Sequence, residues 1–304
     1  MSTPLPTAAP QPVAAPGLPS LQDLVALTKP RLTVLVVATA LGSFYLAPGH
    51  REGWRALAVL VGAVFIVGGA GAINQYLERD SDRLMRRTRN RPLPAGRLAP
   101  RTAVIFGVIL GAIAVAALWL GGNALTAALG AFGYASYVFV YTPMKQRSPA
   151  ALFIGAVPGA VPPLMGWTAA TGRIDEAGCV LFAILFLWQV PHFLAIAFYG
   201  AEDFANAGIK ALPLVTRWGG AATAKKLIVL FTLALLPTSL LLYRLGLAGA
   251  GYAVVATIVG VAFIAIALAG LRRGAALGWA KALFFGSLTY LTTIFIALSV
   301  DGGR

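Results

Sequence analysis

Residues 54–94 read WRALAVLVGAVFIVGGAGAINQYLERDSDRLMRRTRNRPLP: an apolar run, then an acidic cluster, then a strongly cationic stretch. The run over 54–77 is long enough to cross a bilayer as a helix, which takes about 20 residues. It ends on Glu78, Asp80 and Asp82, three of the ten carboxylates in the chain within five residues. Eight arginines follow between Arg79 and Arg101. Carboxylate oxygens at a membrane edge suit a hard cation such as Mg²⁺, and guanidinium groups suit phosphate oxygens. Together they suit a metal-bound diphosphate.

The rest of the chain is equally apolar. Its 304 residues are 59% hydrophobic and 11% charged, with a mean hydropathy of +0.81. A soluble domain of this length needs a larger polar surface. The composition therefore predicts an all-α, polytopic membrane helix bundle. Nine apolar spans are expected near 31–47, 54–77, 102–120, 124–141, 150–170, 176–199, 226–245, 248–270 and 281–300. Residues 1–20 are Pro/Ala-rich, with neither the basic start nor the apolar core of a cleavable signal. Residues 1–24 are expected to be a disordered cytoplasmic tail, and residues 25–304 a single intramembrane domain. The lone Cys179 excludes an intramolecular disulfide and a cysteine-based metal site; it is expected to be inert packing.

A net charge of +14 raises nucleic acid as a partner, and its distribution answers that. With the N-terminus cytoplasmic, 19 of the 24 Lys/Arg fall in cytoplasmic segments. The exceptions are Arg51, Arg55, Arg173, Arg244 and Arg304. This is the positive-inside pattern of a membrane protein, and no nucleic acid is needed to explain it. The two long loops, 78–101 and 200–225, then share the cytoplasmic side and hold five of the ten carboxylates. The site is expected there.

Asn74, Glu78 and Asp82 are four residues apart. At about 100° per residue they share one helix face within an arc of roughly 80°, and Asp80 points away. One amide and two carboxylates in line suit Mg²⁺, which keeps waters and takes further ligands from phosphates. The plainer alternative is a helix end whose acids pair with Arg83, Arg86 and Arg87. A second cluster, Glu202 and Asp203, offers Asp203 as a further metal ligand, or else a helix cap or an ion pair with Lys210. Arg83, Lys145 and Arg147 are candidates for phosphate contacts. His192, beside Pro191 in the sixth span, could ligate or orient a haem, act as acid or base, or serve as a hydrogen-bonded structural residue. Pro158, Pro162 and Pro163, with Gly155, Gly159 and Gly166, predict an irregular or kinked fifth span lining a cavity.

These residues resemble the UbiA superfamily of intramembrane prenyltransferases. Asn74-x-x-x-Glu78-x-x-x-Asp82 is similar to its first acidic motif, and Glu202-Asp203 to a remnant of its second. Further stretches resemble the haem-farnesylating branch: Thr28-Lys29-Pro30-Arg31, Met85-x-Arg87-Thr88-x-x-Arg91-Pro92, Tyr141-Thr142-Pro143-Met144-Lys145-x-Arg147, Pro162-Pro163 with Gly166-Trp167, and Trp188-Gln189-x-Pro191-His192-Phe193. They cover residues 25 to 220. The chain departs from the superfamily pattern at Glu78, where Asp is common, and at Phe193, where other members carry an acid.

The resemblance implies Mg²⁺ as cofactor, held by Asn74, Glu78, Asp82 and Asp203. Catalytic roles would fall to these four and to His192. Arg83, Arg87, Arg91, Lys145, Arg147, Trp188 and Gln189 would bind substrate. It implies farnesyl diphosphate and haem B as substrates, with water, and haem O and diphosphate as products. Tyr76, Tyr137, Tyr141 and Trp188 are candidates to face an allylic cation. The setting implied is the lipid of a bacterial inner membrane, with the site facing the cytoplasm, and handover to a haem O oxygenase or terminal-oxidase assembly partner. Two rivals remain: the same chemistry on a quinone-precursor phenol or a chlorin, and a secondary transporter. A transporter is expected to place its ionisable site near the bilayer midplane, whereas these acids cluster at one edge.

Overall fold

The computed structural model describes residues 19–272 and 277–302. The expected tail lies, over residues 1–18, outside the described residues, as do Arg273 and Arg304. Helices run α1 Leu21–Leu27, α2 Pro30–Leu46, α3 Gly53–Leu77, α4 Arg79–Arg83, α5 Pro100–Gly121, α6 Ala124–Ala135, α7 Thr142–Met144, α8 Ala151–Thr171, α9 Glu176–Tyr199, α10 Ala201–Asn206, α11 Gly220–Arg244, α12 Ala250–Ala269 and α13 Leu277–Asp301. A π-helical turn, Ser136–Tyr141, joins α6 to α7. Among the described residues the β-structure is one isolated bridge, Ala248 to Gly302. Eight helices are long and apolar enough to cross a membrane, or nine when α1 and α2, bent by 53°, count as one span.

The spans fall where the hydropathy places them, with three differences. The tail boundary at residue 24 falls inside α1. Ser20 caps that helix, its Oγ accepting from the Asp23 amide at 3.1 Å, so helix begins at Leu21. The seventh span begins at Gly220 rather than 226, and the ninth at Leu277 rather than 281. The seventh gains Gly220–Lys225, a turn and a half of mostly small residues, and the ninth gains Leu277–Ala280 ahead of Lys281. The fifth span, expected to be irregular or kinked, is helical throughout Ala151–Thr171, with Pro158, Pro162 and Pro163 inside it. Burial among other helices tolerates the lost backbone bonds.

Small residues draw the helices together. A Cβ on Gly69 of α3 would stand 2.7 Å from the Gly107 carbonyl of α5, and one on Gly166 of α8 would overlap the Ala40 carbonyl of α2. Such close backbone approach supplies the van der Waals packing that holds helices together in lipid. Ile105, Phe139, Ile258 and Phe285 face outward, as expected where the solvent is hydrocarbon. Cys179 is also exposed, so it faces the surroundings rather than packing in the core. The most buried spans are α3, α8 and α9; Asn74 lies on α3 and Trp188, Gln189 and His192 on α9, while the other expected site residues lie in the loops and short helices between spans.

Candidate active site

The acidic ladder straddles a helix break. Helix α3 stops at Leu77, Glu78 leaves helical geometry at φ −95° and ψ 3°, and α4 begins at Arg79. The four-residue bonding nevertheless continues, Glu78 N–H to the Asn74 carbonyl at 2.9 Å and Asp82 N–H to the Glu78 carbonyl at 2.7 Å. Asn74, Glu78 and Asp82 therefore stay aligned and line one cavity of about 320 Å³. Asp80 points away and is exposed, pairing with Arg79 and Arg83.

Each ladder residue meets a cation from a distant segment. Lys29 Nζ donates to Asn74 Oδ1 at 2.7 Å, Lys145 Nζ lies 2.8 Å from Glu78 Oε1, and Arg91 Nη1 lies 2.7 Å from Asp82 Oδ2. Asn74 Nδ2 donates to Thr142 Oγ1 at 3.1 Å, which fixes the amide with its oxygen toward Lys29. Burial pushes the Glu78 carboxyl up, but the Lys145 ammonium more than offsets it and holds the group below its ordinary value. Burial pushes Lys145 down, and Glu78 outweighs that and raises it. For Asp82 burial wins over Arg91, and the carboxyl is raised.

The cavity is lined by Lys29, Arg87, Arg91, Lys145 and Lys210 against Glu78 and Asp82. Five cations facing two carboxylates make a concave site that attracts polyanions. Lys29 is held there by strained backbone. At φ 52° it is the one non-glycine residue with positive φ among the described residues, set in the bend between α1 and α2. Such strain persists where surrounding structure enforces it, and clusters at functional sites.

Mg²⁺ fits the ladder in part. Asp82 Oδ1 is buried with no hydrogen-bond partner, a hard oxygen left for a cation. Among the described residues, however, no three Asp, Glu, His or Cys side chains gather into a metal site. A metal on the ladder would draw remaining oxygens from water or a phosphate, as Mg²⁺ commonly does.

A second cavity, of about 240 Å³, adjoins the first and shares Lys29, Leu32, Tyr141 and Phe193 with it. Its other walls are chiefly apolar, including Ile66, Ala70, Pro158 and Pro162. Tyr137 and Tyr141 sit at the junction with ring centroids 5.1 Å apart. Trp188, Gln189 and His192 enter from α9. Trp188 Nε1 donates to the Ser287 carbonyl at 2.6 Å, and the His192 ring stacks between Trp188 and Phe284.

The structure brings together Asn74, Glu78, Asp82, Arg87, Arg91 and Lys145 in the polar cavity, and Trp188, Gln189 and His192 in the apolar one. It places four expected residues elsewhere. Asp203 accepts from the Arg86 amide at 3.2 Å and lines a separate recess with Glu202 and Tyr199. Arg83 turns to the Pro94 carbonyl and Asp80. Arg147 is exposed and lines neither cavity. Tyr76 lies beneath Arg79, its ring 4.8 Å from the guanidinium carbon. Reading the sequence missed Lys29, Thr142 and Ser287 as site groups. Lys29 carries a signal, a charge just before Pro30 at the start of a span; Ser287, in a plain apolar helix, carries none.

Fold and site together define a polytopic membrane protein in which a cation-lined cavity adjoins an apolar chamber. The sequence model of the UbiA prenyltransferase family matches residues 35–289, and the chain belongs to that family. It is 48% identical over 288 residues to the protoheme IX farnesyltransferase of Myxococcus xanthus, covering 94% of this chain and 97% of that one. A solved structure described as digeranylgeranylglyceryl phosphate synthase shares the fold, with TM-score 0.77 at 18% identity, over 92% of this chain and 98% of that one. So does a UbiA homolog from Archaeoglobus fulgidus bound to DMAPP and Mg²⁺, with TM-score 0.64 at 16% identity, over 91% and 99%.

Proposed function

We propose that this prenyltransferase moves the farnesyl group of farnesyl diphosphate to a vinyl group of haem B, with addition of water, to give haem O and diphosphate. The observation that carries the reading is the junction itself, a cation-rich cavity over the ladder continuous with an apolar chamber. The name of the Myxococcus xanthus relative supports haem as acceptor.

Asn74, Glu78 and Asp82 would hold Mg²⁺, which supplies charge neutralisation for the diphosphate as it leaves. Lys29, Arg91 and Lys145 bind the diphosphate oxygens and stabilise the charge that builds on them as the C–O bond breaks. They now sit on ladder oxygens, so arriving phosphate replaces one set of partners with another. Arg87 contributes from the cavity rim. Tyr137 and Tyr141 face the allylic cation at the junction. The chamber walled by α2, α3, α8 and α9 holds the farnesyl chain and the acceptor and excludes bulk water from the cation. Asp203 acts at one remove, by fixing the Arg86 backbone.

The polar cavity lies among the loops expected on the cytoplasmic side by the distribution of Lys/Arg. We place the protein in a bacterial inner membrane with this mouth inward, able to pass haem O to an oxygenase or an oxidase assembly partner. The test is purified protein with haem B, farnesyl diphosphate and Mg²⁺, followed by mass spectrometry of extracted haem. A Mg²⁺-dependent haem heavier by one farnesyl and one hydroxyl is expected. Farnesylation of a phenolic acceptor with haem untouched would overturn the acceptor.

A further inference from the structure

The proposed reaction consumes water, yet the chamber where it ends is walled mainly by apolar groups. Gln189 and His192, three residues apart on α9, lie one turn apart on one face, and both line that chamber. The Gln189 amide is fixed in orientation: Nε2 donates to the carbonyls of Ala156 at 3.1 Å and Leu185 at 3.0 Å. Both hydrogens are thereby used. Oε1 is left as an acceptor without a partner among the described residues, on a residue 4% exposed. It lies against Gly159, where a Cβ would overlap it. Gln189 lines the chamber, so this free acceptor is open to a donor that arrives with substrate.

His192 is fixed in the same way. Its Nδ1 lies 2.8 Å from Ser287 Oγ, and Ser287 Oγ donates to the Phe284 carbonyl at 2.6 Å. A hydroxyl has one hydrogen. Ser287 uses it on Phe284, so it must accept from Nδ1–H. Nε2 then carries a lone pair and has no partner among the described residues. Stacking on Trp188, at 4.6 Å, and Phe284, at 5.0 Å, holds the ring.

We propose that Gln189 Oε1 and His192 Nε2 hold the water that hydrates the haem side chain, with Ser287 as the positioning residue for His192. The inference rests on the reading above. After the farnesyl C–O bond breaks, the vinyl terminal carbon bonds to farnesyl C1 and leaves a cation on the carbon next to the macrocycle. The water, donating one O–H to Gln189 Oε1, bonds through its oxygen to that carbon. Its proton passes to His192 Nε2 and then to bulk solvent. Without a held water, the same cation loses a proton from the adjacent CH₂ and gives an alkene lighter by one water. The pair therefore sets the product and not only the rate.

The test is the ratio of alcohol to alkene among farnesylated haems made by wild type, Gln189→Leu, Ser287→Ala and Ser287→Thr in ¹⁸O-labelled water. Label should enter the wild-type alcohol. Gln189→Leu and Ser287→Ala should lower the ratio at least tenfold, and Ser287→Thr, which keeps the hydroxyl, should restore it. Leucine matches glutamine in size, and farnesylated haem of either kind reports a folded enzyme. Variants that lose total product at an unchanged ratio would overturn the proposal. A shift of the Soret band of bound haem B in His192→Ala would place Nε2 on the iron and overturn it too. A wild type that makes no farnesylated haem would overturn the functional reading along with it.

Discussion

Replacing Lys145 with methionine keeps the length of the side chain and deletes its charge. The ammonium lies 2.8 Å from Glu78 Oε1, with side-chain exposures of 20% and 13%, and 4.7 Å from the centre of the Tyr141 ring. Coulomb attraction at that distance is about 6 kcal/mol at an effective dielectric near 20. Most of it repays desolvation, and breaking a buried pair typically costs about 3–5 kcal/mol. An upper bound comes from Glu78 itself. A stranded carboxylate can take up a proton, which costs about 3.7 kcal/mol at pH 7 from an ordinary value near 4.3. Asn74 and Lys29 remain nearby, so a loss of about 3 kcal/mol is expected, a fall in Tm of roughly 6–12 °C. Turnover should fall on the order of 100–1,000-fold, the usual effect of removing one donor to a developing oxyanion. Adding Glu78→Gln should recover at least about 2 kcal/mol of stability, because no charge is then stranded, and no activity. Thermal melts in detergent and haem O formation, on the two single variants and the double, separate these effects. A Lys145→Met protein that melts and turns over like wild type would refute the pairing as described.

Three further outcomes follow from the same geometry. Asp82→Ala should insert normally and lose haem O formation, since it removes the unpaired Oδ1; chelation of Mg²⁺ should silence wild type reversibly, and mass spectrometry of the product checks both. Lys29→Ala should slow turnover at least on the order of 30-fold, as expected for a charged hydrogen bond worth about 2 kcal/mol, whereas Arg83→Ala and Arg147→Ala, outside both cavities, should stay within about threefold. Gly159→Ala should push Gln189 out of place; overpacking of this kind costs about 1–3 kcal/mol, to be read as a lower Tm with a larger share of alkene product.

The bundle was legible in the sequence because a bilayer demands long uncharged runs, and runs such as 54–77 leave no other reading. Asn74, Glu78 and Asp82 were legible for a related reason: four-residue spacing aligns them whether or not the helix is broken at Glu78. The partners of those acids were not. Local spacing suggests Arg83, Arg86 and Arg87, but the ladder acids pair with Arg91 and Lys145, and Asp80 takes Arg83. Cation choice is set by how loops fold over the helix ends, which periodicity does not encode. Asp203 and Arg147 show the same limit, being near the site in sequence pattern and outside its cavities in space. Ser287 marks another. A serine in an apolar span reads as filler until α13 is seen to pack on α9.

The most direct test is an experimental structure with Mg²⁺ and a non-hydrolysable farnesyl thiodiphosphate. The account predicts the diphosphate against Lys29, Arg91 and Lys145, metal on Asn74, Glu78 and Asp82, and the farnesyl chain running past Tyr141 toward Pro158 and Pro162. A diphosphate bound instead in the recess of Arg86, Glu202 and Asp203, with the ladder left paired to its lysines, would contradict it.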